Sequence, residues 1–286
     1  AYRRQRQMCI RDRLSAAAGG SIAAAVDFAQ QIIAAVPGFR IIPHAGYNDG
    51  TAANTLIAFA NAIGAANVAG FSQTNEIDGG GKPGDPYAGS YAYGVDLWNA
   101  VQASADLKKL PIFAPSFIGA VNAAKQVAGL GGYVNGGEIH SYTGVRQPNN
   151  TGWGGSQTND GVTLNEGSIK FNQIYAAKSV SGLDYYFAGE CGYPTSNDGM
   201  YGGVDGDGNP WWGYAEVSDP TVYAHYMLWD IIDHFNRGVN FMTFYSLNDK
   251  WNREAGPEPH FGLFQGSSGN TTTTAKSAVA GIKRLM

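Results

Sequence analysis

The chain has 286 residues, of which 44% are hydrophobic and 15% charged, and its formal net charge is −4. A chain of this length can bury one large core, and single α/β barrels commonly have about this length. The sequence contains no basic stripe to follow a phosphate backbone, which argues against a nucleic-acid partner. It also contains no apolar run of membrane-spanning length, so we expect no membrane association.

The remaining composition indicates the kind of ligand rather than its identity. Gly, Asn, Thr and aromatic residues are frequent and charges are few, which suits a protein that handles neutral polar ligands. The two cysteines, Cys9 and Cys191, cannot form a disulfide framework, and no Cys/His spacing fits a metal site. We therefore expect no cofactor and no metal.

The first residues do not read as a native fold element. Residues 1–14 (AYRRQRQMCIRDRL) are rich in arginine and lack apolar periodicity. They resemble a translated sequencing adapter of the kind found in metagenomic assemblies; the alternative is a basic, disordered arm. We exclude this segment from the fold, and expect that the natural N-terminus is missing and that the protein is secreted and monomeric.

From residue 15 onward, helical periodicity alternates with short β-rich runs. In chain order, the patterns predict a helix at 21–36, a strand at 39–43, a helix at 51–63, a strand at 68–72, a helix at 93–107, a strand at 111–115, a helix at 121–128, a strand at 137–140, a helix at 168–180, a strand at 185–188, a helix at 221–236, a strand at 239–245 and a helix at 274–285. Such alternation implies a parallel sheet covered by helices.

The predicted fold is a (β/α)8 TIM barrel that occupies residues 15–286 as a single domain. A closed barrel of this type needs eight strands. Because the patterns give six, we expect a barrel truncated at its N-terminal end, with strands three to eight present. An open doubly wound sheet is the alternative, and it is disfavoured because no Gly-rich phosphate loop follows a strand.

The long connections follow the strands rather than the helices. They span residues 78–92, 142–167, 192–220 and 246–273 and are rich in Gly, Asn and aromatic residues. In an α/β barrel these loops lie at the C-terminal face, where active sites are built. We expect them to form the walls of a cleft.

Two strand ends carry a carboxylate into that cleft. Glu76 ends the sequence FSQTNE, and Glu190 lies in FAGECG. A retaining glycosidase needs two carboxyl groups roughly 5–5.5 Å apart, one protonated and one ionised. A second Asn-Glu pair, Asn165-Glu166, precedes a helix and reads as a cap. The predicted catalytic residues are therefore Glu76 and Glu190.

These two motifs resemble clan A glycoside hydrolases, which are (β/α)8 barrels that cleave β-glycosides with retention. In that clan the acid/base is the Glu of an Asn-Glu pair after the fourth strand, and the nucleophile is a Glu after the seventh. If residues 239–245 are the eighth strand, Glu76 follows the fourth and Glu190 the seventh. The resemblance implies that Glu76 is the acid/base and Glu190 the nucleophile.

The resemblance also implies substrate-binding residues. Asn75 would bond the sugar 2-hydroxyl, His140 or Tyr142 would contact the nucleophile or the sugar, and Tyr245 or Trp251 would stack under the sugar. The full predicted set is Asn75, His44, His140, Tyr142, Tyr245, Asn248 and Trp251. One departure is that no arginine follows a second strand to support the nucleophile, since that strand is missing and Arg40 lies inside the third.

Several other residues have a structural or an open interpretation. We expect His225 and His234 to be structural, Trp98 and Trp229 to belong to the core, and Cys191 to pack beside its strand. Sugar stacking and structural packing are equally open for Trp153, Trp211 and Trp212. Residues 205–209 (DGDGN) match a calcium loop only in part, because Pro210 stands where glycine is needed, so we interpret Asp205 and Asp207 as a turn.

The sequence leaves two alternatives to a retaining β-glycosidase. One is a metal-dependent barrel that uses Glu76, His140, Glu190 and Asp249 as ligands, which no paired-His motif supports. The other is a carbohydrate-binding barrel without catalytic activity. In either carbohydrate reading the partner is a sugar whose identity and linkage the sequence does not specify.

Overall fold

The computed structural model describes residues 9–13, 22–44, 52–79, 84–118, 126–143, 147–149, 157–159, 162–164, 169–195, 219–245, 261–265 and 274–285. The strands are β1 (Cys9–Arg13), β2 (Arg40–His44), β3 (Gly137–His140), β4 (Gln157–Asn159), β5 (Val162–Leu164), β6 (Tyr186–Glu190), β7 (Val239–Met242), β8 (Phe264–Gln265) and β9 (Thr274–Ala275). The α-helices are α1 (Ile22–Ala35), α2 (Ala53–Ile63), α3 (Pro86–Ala103), α4 (Ile169–Ser181), α5 (Pro220–Asn236) and α6 (Ala278–Leu285).

The main strands form one array of parallel neighbours. β1 pairs with β2, and β3, β6 and β7 form a three-stranded sheet in that order. Isolated parallel bridges connect β2 to residues 68–72, and residues 68–72 to residues 112–113. A further bridge connects residues 112–113 to the segment that leads into β3. Helices separate most of these segments along the chain. The predicted parallel α/β architecture is confirmed.

The array is strongly curved, and its inner face is filled by side chains. The ring of Phe113 lies 4.9 Å from that of Phe187 and 6.2 Å from that of Phe241, measured between centroids. In a flat sheet the strands of Phe113 and Phe241, three steps apart, would be separated by about 14 Å. Ile42 from β2 joins the same buried cluster. An inner face packed in this way is typical of small barrels.

The larger core lies between the outer face of the array and the helices. In α2 the buried positions recur at helical spacing and include Leu56 and Phe59, which pack with Phe71, Leu97 and other buried residues. Full burial of one such side chain contributes about 1.5–3 kcal/mol. The helices therefore anchor the strands from outside, and the strand ends stay available for chemistry.

Helices α3 and α5 begin with the same device. Asp85 and Asp219 each accept hydrogen bonds from two backbone N–H groups of the first turn, and a proline follows each aspartate. These caps explain why α3 begins at Pro86 rather than at residue 93. Residues 86–92 lack an apolar stripe, so periodicity missed them, whereas an Asp-Pro start is a local signal for a helix.

The structure differs from the sequence predictions in several segments. Cys9–Arg13 forms β1, paired with Arg40–His44, although residues 1–14 had been excluded from the fold. β1 is defined by hydrogen bonds between backbone groups, and the apolar periodicity of a sequence does not predict such pairing. The last helix begins at Ala278 because Thr274–Ala275 pairs with Phe264–Gln265.

Two further segments complete the comparison. β4 and β5 form an antiparallel hairpin inside a predicted loop. Most of the predicted helix at 121–128 lies outside the described residues. No helix in the described part of the chain is both long and apolar enough to span a bilayer.

Candidate active site

Glu76 lies in the connection that follows residues 68–72, and its backbone is strained. Its φ of 44° is unusual for a residue other than glycine. The Glu76 N–H donates to Ser116 Oγ (3.0 Å), and the Ile77 N–H donates to the Ser116 carbonyl oxygen (3.1 Å). The loop after residues 112–113 therefore holds the loop of Glu76. Such strain persists only where neighbouring groups fix the conformation.

Glu190 is the last residue of β6, and it is held by the residues that follow β3. The Ser141 N–H donates to the Glu190 carbonyl oxygen at 3.1 Å. The Tyr142 hydroxyl donates to Glu190 Oε2 at 2.8 Å. Burial, and then the charge of Glu190, raise the pKa of Tyr142 well above its usual value. Tyr142 therefore remains a hydrogen-bond donor to the carboxylate at neutral pH.

His140 lies between the two predicted catalytic residues and is 2% exposed. Its Nδ1 lies 3.0 Å from Glu76 Oε1 and 3.7 Å from Glu190 Oε2. Its Nε2 lies 3.3 Å from Glu138 Oε1. Three carboxyl groups thus surround one imidazole. His140, predicted as a contact of the site, lies within 3.7 Å of both predicted catalytic residues.

The carboxyl groups of Glu76 and Glu190 approach each other closely. One oxygen of each lies within 4.8 Å of the other and of a His140 ring nitrogen. Separations of roughly 5–5.5 Å between the two carboxyl groups are typical of retaining glycosidases. A cation would also fit three such groups, but the His140–Glu76 contact has the length of a hydrogen bond. Asp249, the fourth member of the metal alternative, lies outside the described residues.

Glu138 is a member of the site that the sequence predictions missed. It is 1% exposed and lies two residues before His140 on the same face of β3. The Ser72 hydroxyl donates to Glu138 Oε2 at 2.5 Å, and His44 Nδ1 lies 3.0 Å from the same Ser72 Oγ. Glu138 could have been identified from the sequence because an ionisable residue within a short buried strand needs a partner.

A bulge in β6 makes room for Glu138. The pairing of β3 with β6 runs from Ile139 opposite Ala188 to His140 opposite Glu190, so Gly189 has no partner. A Cβ atom at Gly189 would collide with the Glu138 carboxylate. Bulges of this kind re-aim side chains beside active sites. Here the bulge sets Glu190 opposite His140.

A cavity of about 180 Å³ opens beside Glu190. Its lining residues are His44, Asn75, Gly189, Glu190, Thr243, Phe244 and Tyr245. Four predicted site residues therefore meet at one cavity. Asn248 and Trp251 lie outside the described residues. Phe261, which was not predicted, packs its ring against Tyr142 (5.4 Å) and Tyr245 (5.7 Å).

Other predictions have mixed outcomes. His234 is buried, and its Nε2 lies 2.5 Å from Ser141 Oγ, in agreement with a structural role. Cys191 is buried and donates to the Thr243 carbonyl oxygen. The prediction that Trp229 belongs to the core is wrong, since it is 40% exposed on α5. The described residues do not include Trp153, Trp211, Trp212, Asp205 or Asp207.

Comparison with known proteins gives a likeness in fold. No family model matches the sequence, and no curated protein matches it. A GH128 (subgroup I) endo-β-1,3-glucanase from Amycolatopsis mediterranei superposes with a TM-score of 0.51 at 16% identity, covering 98% of this chain and 99% of that one. The virulence factor SghA from Agrobacterium tumefaciens gives 0.54 at 12% identity, with 97% and 82% covered.

A β-glucosidase from Exiguobacterium marinum gives a TM-score of 0.52 at 11% identity, with 97% of this chain and 84% of that one covered. At these identities the likeness concerns the fold. The chain therefore has a fold similar to that of solved glycoside hydrolases, and the case for its activity depends on its own site.

Proposed function

We propose that the protein is a retaining glycoside hydrolase that cleaves β-glycosidic bonds through Glu76 and Glu190. The observation that carries the proposal is the approach of these two carboxyl groups to within 4.8 Å. They follow different strands of one parallel array, and Glu190 faces an open cavity. The fold shared with solved glycoside hydrolases supports the same conclusion.

The surroundings of the two carboxyl groups indicate which is the nucleophile and which is the acid/base. Glu190 accepts a hydrogen bond from Tyr142, and a carboxylate that accepts such a bond is stabilised in its ionised form, as a nucleophile requires. Glu76 lies against His140, a group that can exchange a proton with it. We therefore assign Glu190 as the nucleophile and Glu76 as the acid/base.

The reaction takes two steps. A Glu190 oxygen bonds to the anomeric carbon while the bond to the leaving oxygen breaks, and that oxygen takes the proton from Glu76. Glu76, now a carboxylate, then takes a proton from water. The water oxygen bonds to the anomeric carbon, and the ester bond to Glu190 breaks. Both carboxyl groups return to their starting states.

The substrate is a carbohydrate, and β-linked glucosides are the first class to test. His44, Asn75 and Tyr245 line the cavity, offering hydrogen-bonding groups and an aromatic face, the two kinds of contact that sugars need. Similar solved structures include a β-glucosidase and an endo-β-1,3-glucanase, so both short aryl glucosides and β-1,3-glucan belong in the panel.

The proposal includes a barrel of the (β/α)8 type, to which the described residues contribute seven strands. In that barrel β2, residues 68–72, residues 112–113, β3, β6 and β7 would be the third to eighth strands, and β1 would hold the place of the second. With β1 included, residues 9–286 would form the catalytic domain of a secreted monomer. The curvature of the array and its packed inner face support a barrel over a flat sheet.

The test is hydrolysis of aryl β-glucosides and β-1,3-glucan, with the first-formed anomer followed by proton NMR. We expect a β-anomer that later mutarotates. Asp184→Asn is the matched control, because this exposed carboxylate pairs with Lys178 away from the site and should leave the rate unchanged. Binding of glucan without hydrolysis would favour the carbohydrate-binding alternative, and loss of activity with a chelator would favour the metal-dependent one.

A further inference from the structure

The buried carboxyl group of Glu138 has no role in the two-step reaction. Its oxygens contact two different groups, Ser72 Oγ at 2.5 Å and His140 Nε2 at 3.3 Å. A carboxylate removed from water is unfavourable unless donors compensate it. The fold arranges these two donors. The residue beside the Glu138 carboxylate is Gly189, which has no side chain to collide with it.

The hydrogen bonds around His140 require a definite number of protons. Nδ1 faces Glu76 and Nε2 faces Glu138, and each contact needs one proton between nitrogen and oxygen. Two arrangements satisfy both contacts. Either the imidazole carries two protons between two carboxylates, or a neutral imidazole receives a hydrogen bond from one carboxylic acid and donates one to the other carboxylate.

The difference in burial decides which nitrogen keeps its proton when only one remains. The side chain of Glu76 is 28% exposed, so water can solvate it, whereas Glu138 is shielded. A donor therefore stabilises Glu138 more than Glu76. The last proton stays on Nε2, and Nδ1 then presents a lone pair to Glu76.

We propose that Glu138 is a positioning residue for the acid/base: it holds the Nε2 proton of His140, so that Nδ1 and Glu76 share the second, catalytic proton. This inference rests on the proposed function for its consequence in catalysis, but the arrangement of protons is a property of the site itself. Each transfer is balanced, since the proton leaves Glu76 for the leaving group and returns to it from water.

The other ionisable groups that face this arrangement come from neighbouring elements. Glu190 Oε2 lies 3.7 Å from His140 Nδ1, and Tyr142 donates to Glu190. Behind Glu138, Ser72 donates its only hydroxyl proton to the carboxylate, so His44 Nδ1 is the donor to Ser72 Oγ. The carboxyl groups of Glu138 and Glu190 therefore lie on either side of the imidazole that contacts Glu76.

The variant that tests the proposal is Glu138→Gln, which keeps the shape and removes the charge. Without that charge the shared proton leaves at lower pH. We expect the basic limb of kcat/KM for a phenyl β-glucoside, whose leaving group needs an acid, to move down by about one pH unit or more. For a dinitrophenyl β-glucoside, whose leaving group needs no acid, the rate at the pH optimum should change less than about threefold.

Two controls separate charge from structure. Glu138→Asp keeps the charge and should restore much of the basic limb. Ser72→Ala removes one hydrogen bond to Glu138 but leaves its charge, so its basic limb should stay near that of the wild-type protein. A folded Glu138→Gln protein with an unchanged basic limb, or an equal loss with both substrates, would overturn the proposal.

A second measurement does not depend on activity. In nitrogen-15-labelled wild-type protein above the basic limb, the His140 resonances should show the proton on Nε2, and Glu138→Gln should lose that preference. A proton on Nδ1 of the wild-type protein would overturn the inference, even if Glu138→Gln does not fold. If no glycoside is hydrolysed but the Nε2 proton is observed, the proposed function fails and the assigned role of Glu138 in fixing His140 stands.

Discussion

The surroundings of the two glutamates differ in kind. Glu76 lies in a loop with φ of 44°, held by hydrogen bonds to Ser116 and in contact with His140. Glu190 ends β6, directly after the bulge at Gly189, and accepts a hydrogen bond from Tyr142. Under the proposed mechanism, the first environment would let a proton move and the second would stabilise a negative charge. Environments that differ in this way are how a retaining site keeps two like groups in opposite protonation states.

Substitution of the two glutamates is the largest expected effect and the sharpest test of that difference. Glu190→Gln should lower kcat by about 10³-fold or more on every glycoside, because no substrate can bypass the nucleophile. Glu76→Gln should lower kcat/KM by about 10²–10⁴-fold on a phenyl glycoside and far less on a dinitrophenyl glycoside. Steady-state kinetics on both substrates measure this. Equal losses for both variants on both substrates would remove the distinction.

Removal of the tyrosine hydroxyl should give the next effect. Tyr142→Phe removes the hydrogen bond from the Tyr142 hydroxyl to Glu190, and hydrogen bonds to charged groups contribute about 1.5–3 kcal/mol, equivalent to a loss of about 10–150-fold in kcat/KM. Because the pKa of Tyr142 is raised, its proton is present at every pH up to at least its usual range. The variant should therefore gain no new limb below about pH 9, whereas its acidic limb should move to higher pH because Glu190 loses a donor to its ionised form. A new limb in the variant would contradict the assignment.

Gly189→Ala tests the bulge that sets Glu190 opposite His140. The new Cβ would meet the carboxylate of Glu138, and overpacking of this kind costs about 1–3 kcal/mol. We expect a lower free energy of unfolding by urea denaturation together with reduced activity. Gly132→Ala is the control, because nothing lies within 4 Å of a Cβ there. Equal stability of the two variants would mean that Glu138 is not fixed.

Ser116→Ala should have the smallest effect, and it tests the loop that holds Glu76. It removes the acceptor for the Glu76 N–H, which costs about 1 kcal/mol. The strained loop should relax, so activity on phenyl glycosides should fall more than activity on dinitrophenyl glycosides. Thermal unfolding and the two-substrate comparison measure it. A loss that affects both substrates alike would place the defect at Glu190 instead.

The fold was largely accessible from the sequence. Alternating patterns placed each of the predicted strands at or near an observed parallel segment, because buried parallel strands read as short apolar runs. The start of α3 was missed because an Asp-Pro cap, not an apolar stripe, defines it. β1 was missed because backbone pairing alone marks it.

The site was accessible in part. Glu76 and Glu190 stood out because each follows an apolar strand, and the structure brings them together. Glu138 did not stand out, since no sequence pattern tells which polar side chains a buried glutamate will meet, here His140 on the same strand and Ser72 on a neighbouring segment. The bulge at Gly189, which makes that meeting possible, depends on the register of two distant segments. Local sequence therefore indicated the reacting groups, but not the groups that position them.

The central claim is that Glu190 becomes covalently bonded to the sugar. It is tested most directly by incubation with a 2-deoxy-2-fluoro β-glucoside that carries a dinitrophenyl leaving group, followed by mass spectrometry of the intact protein and its peptides. We expect a mass increase of one fluoroglucosyl group, located on Glu190 by fragmentation, and no such adduct in Glu190→Gln. Hydrolysis of the parent glycoside with inversion, or an adduct on any other residue, would contradict it.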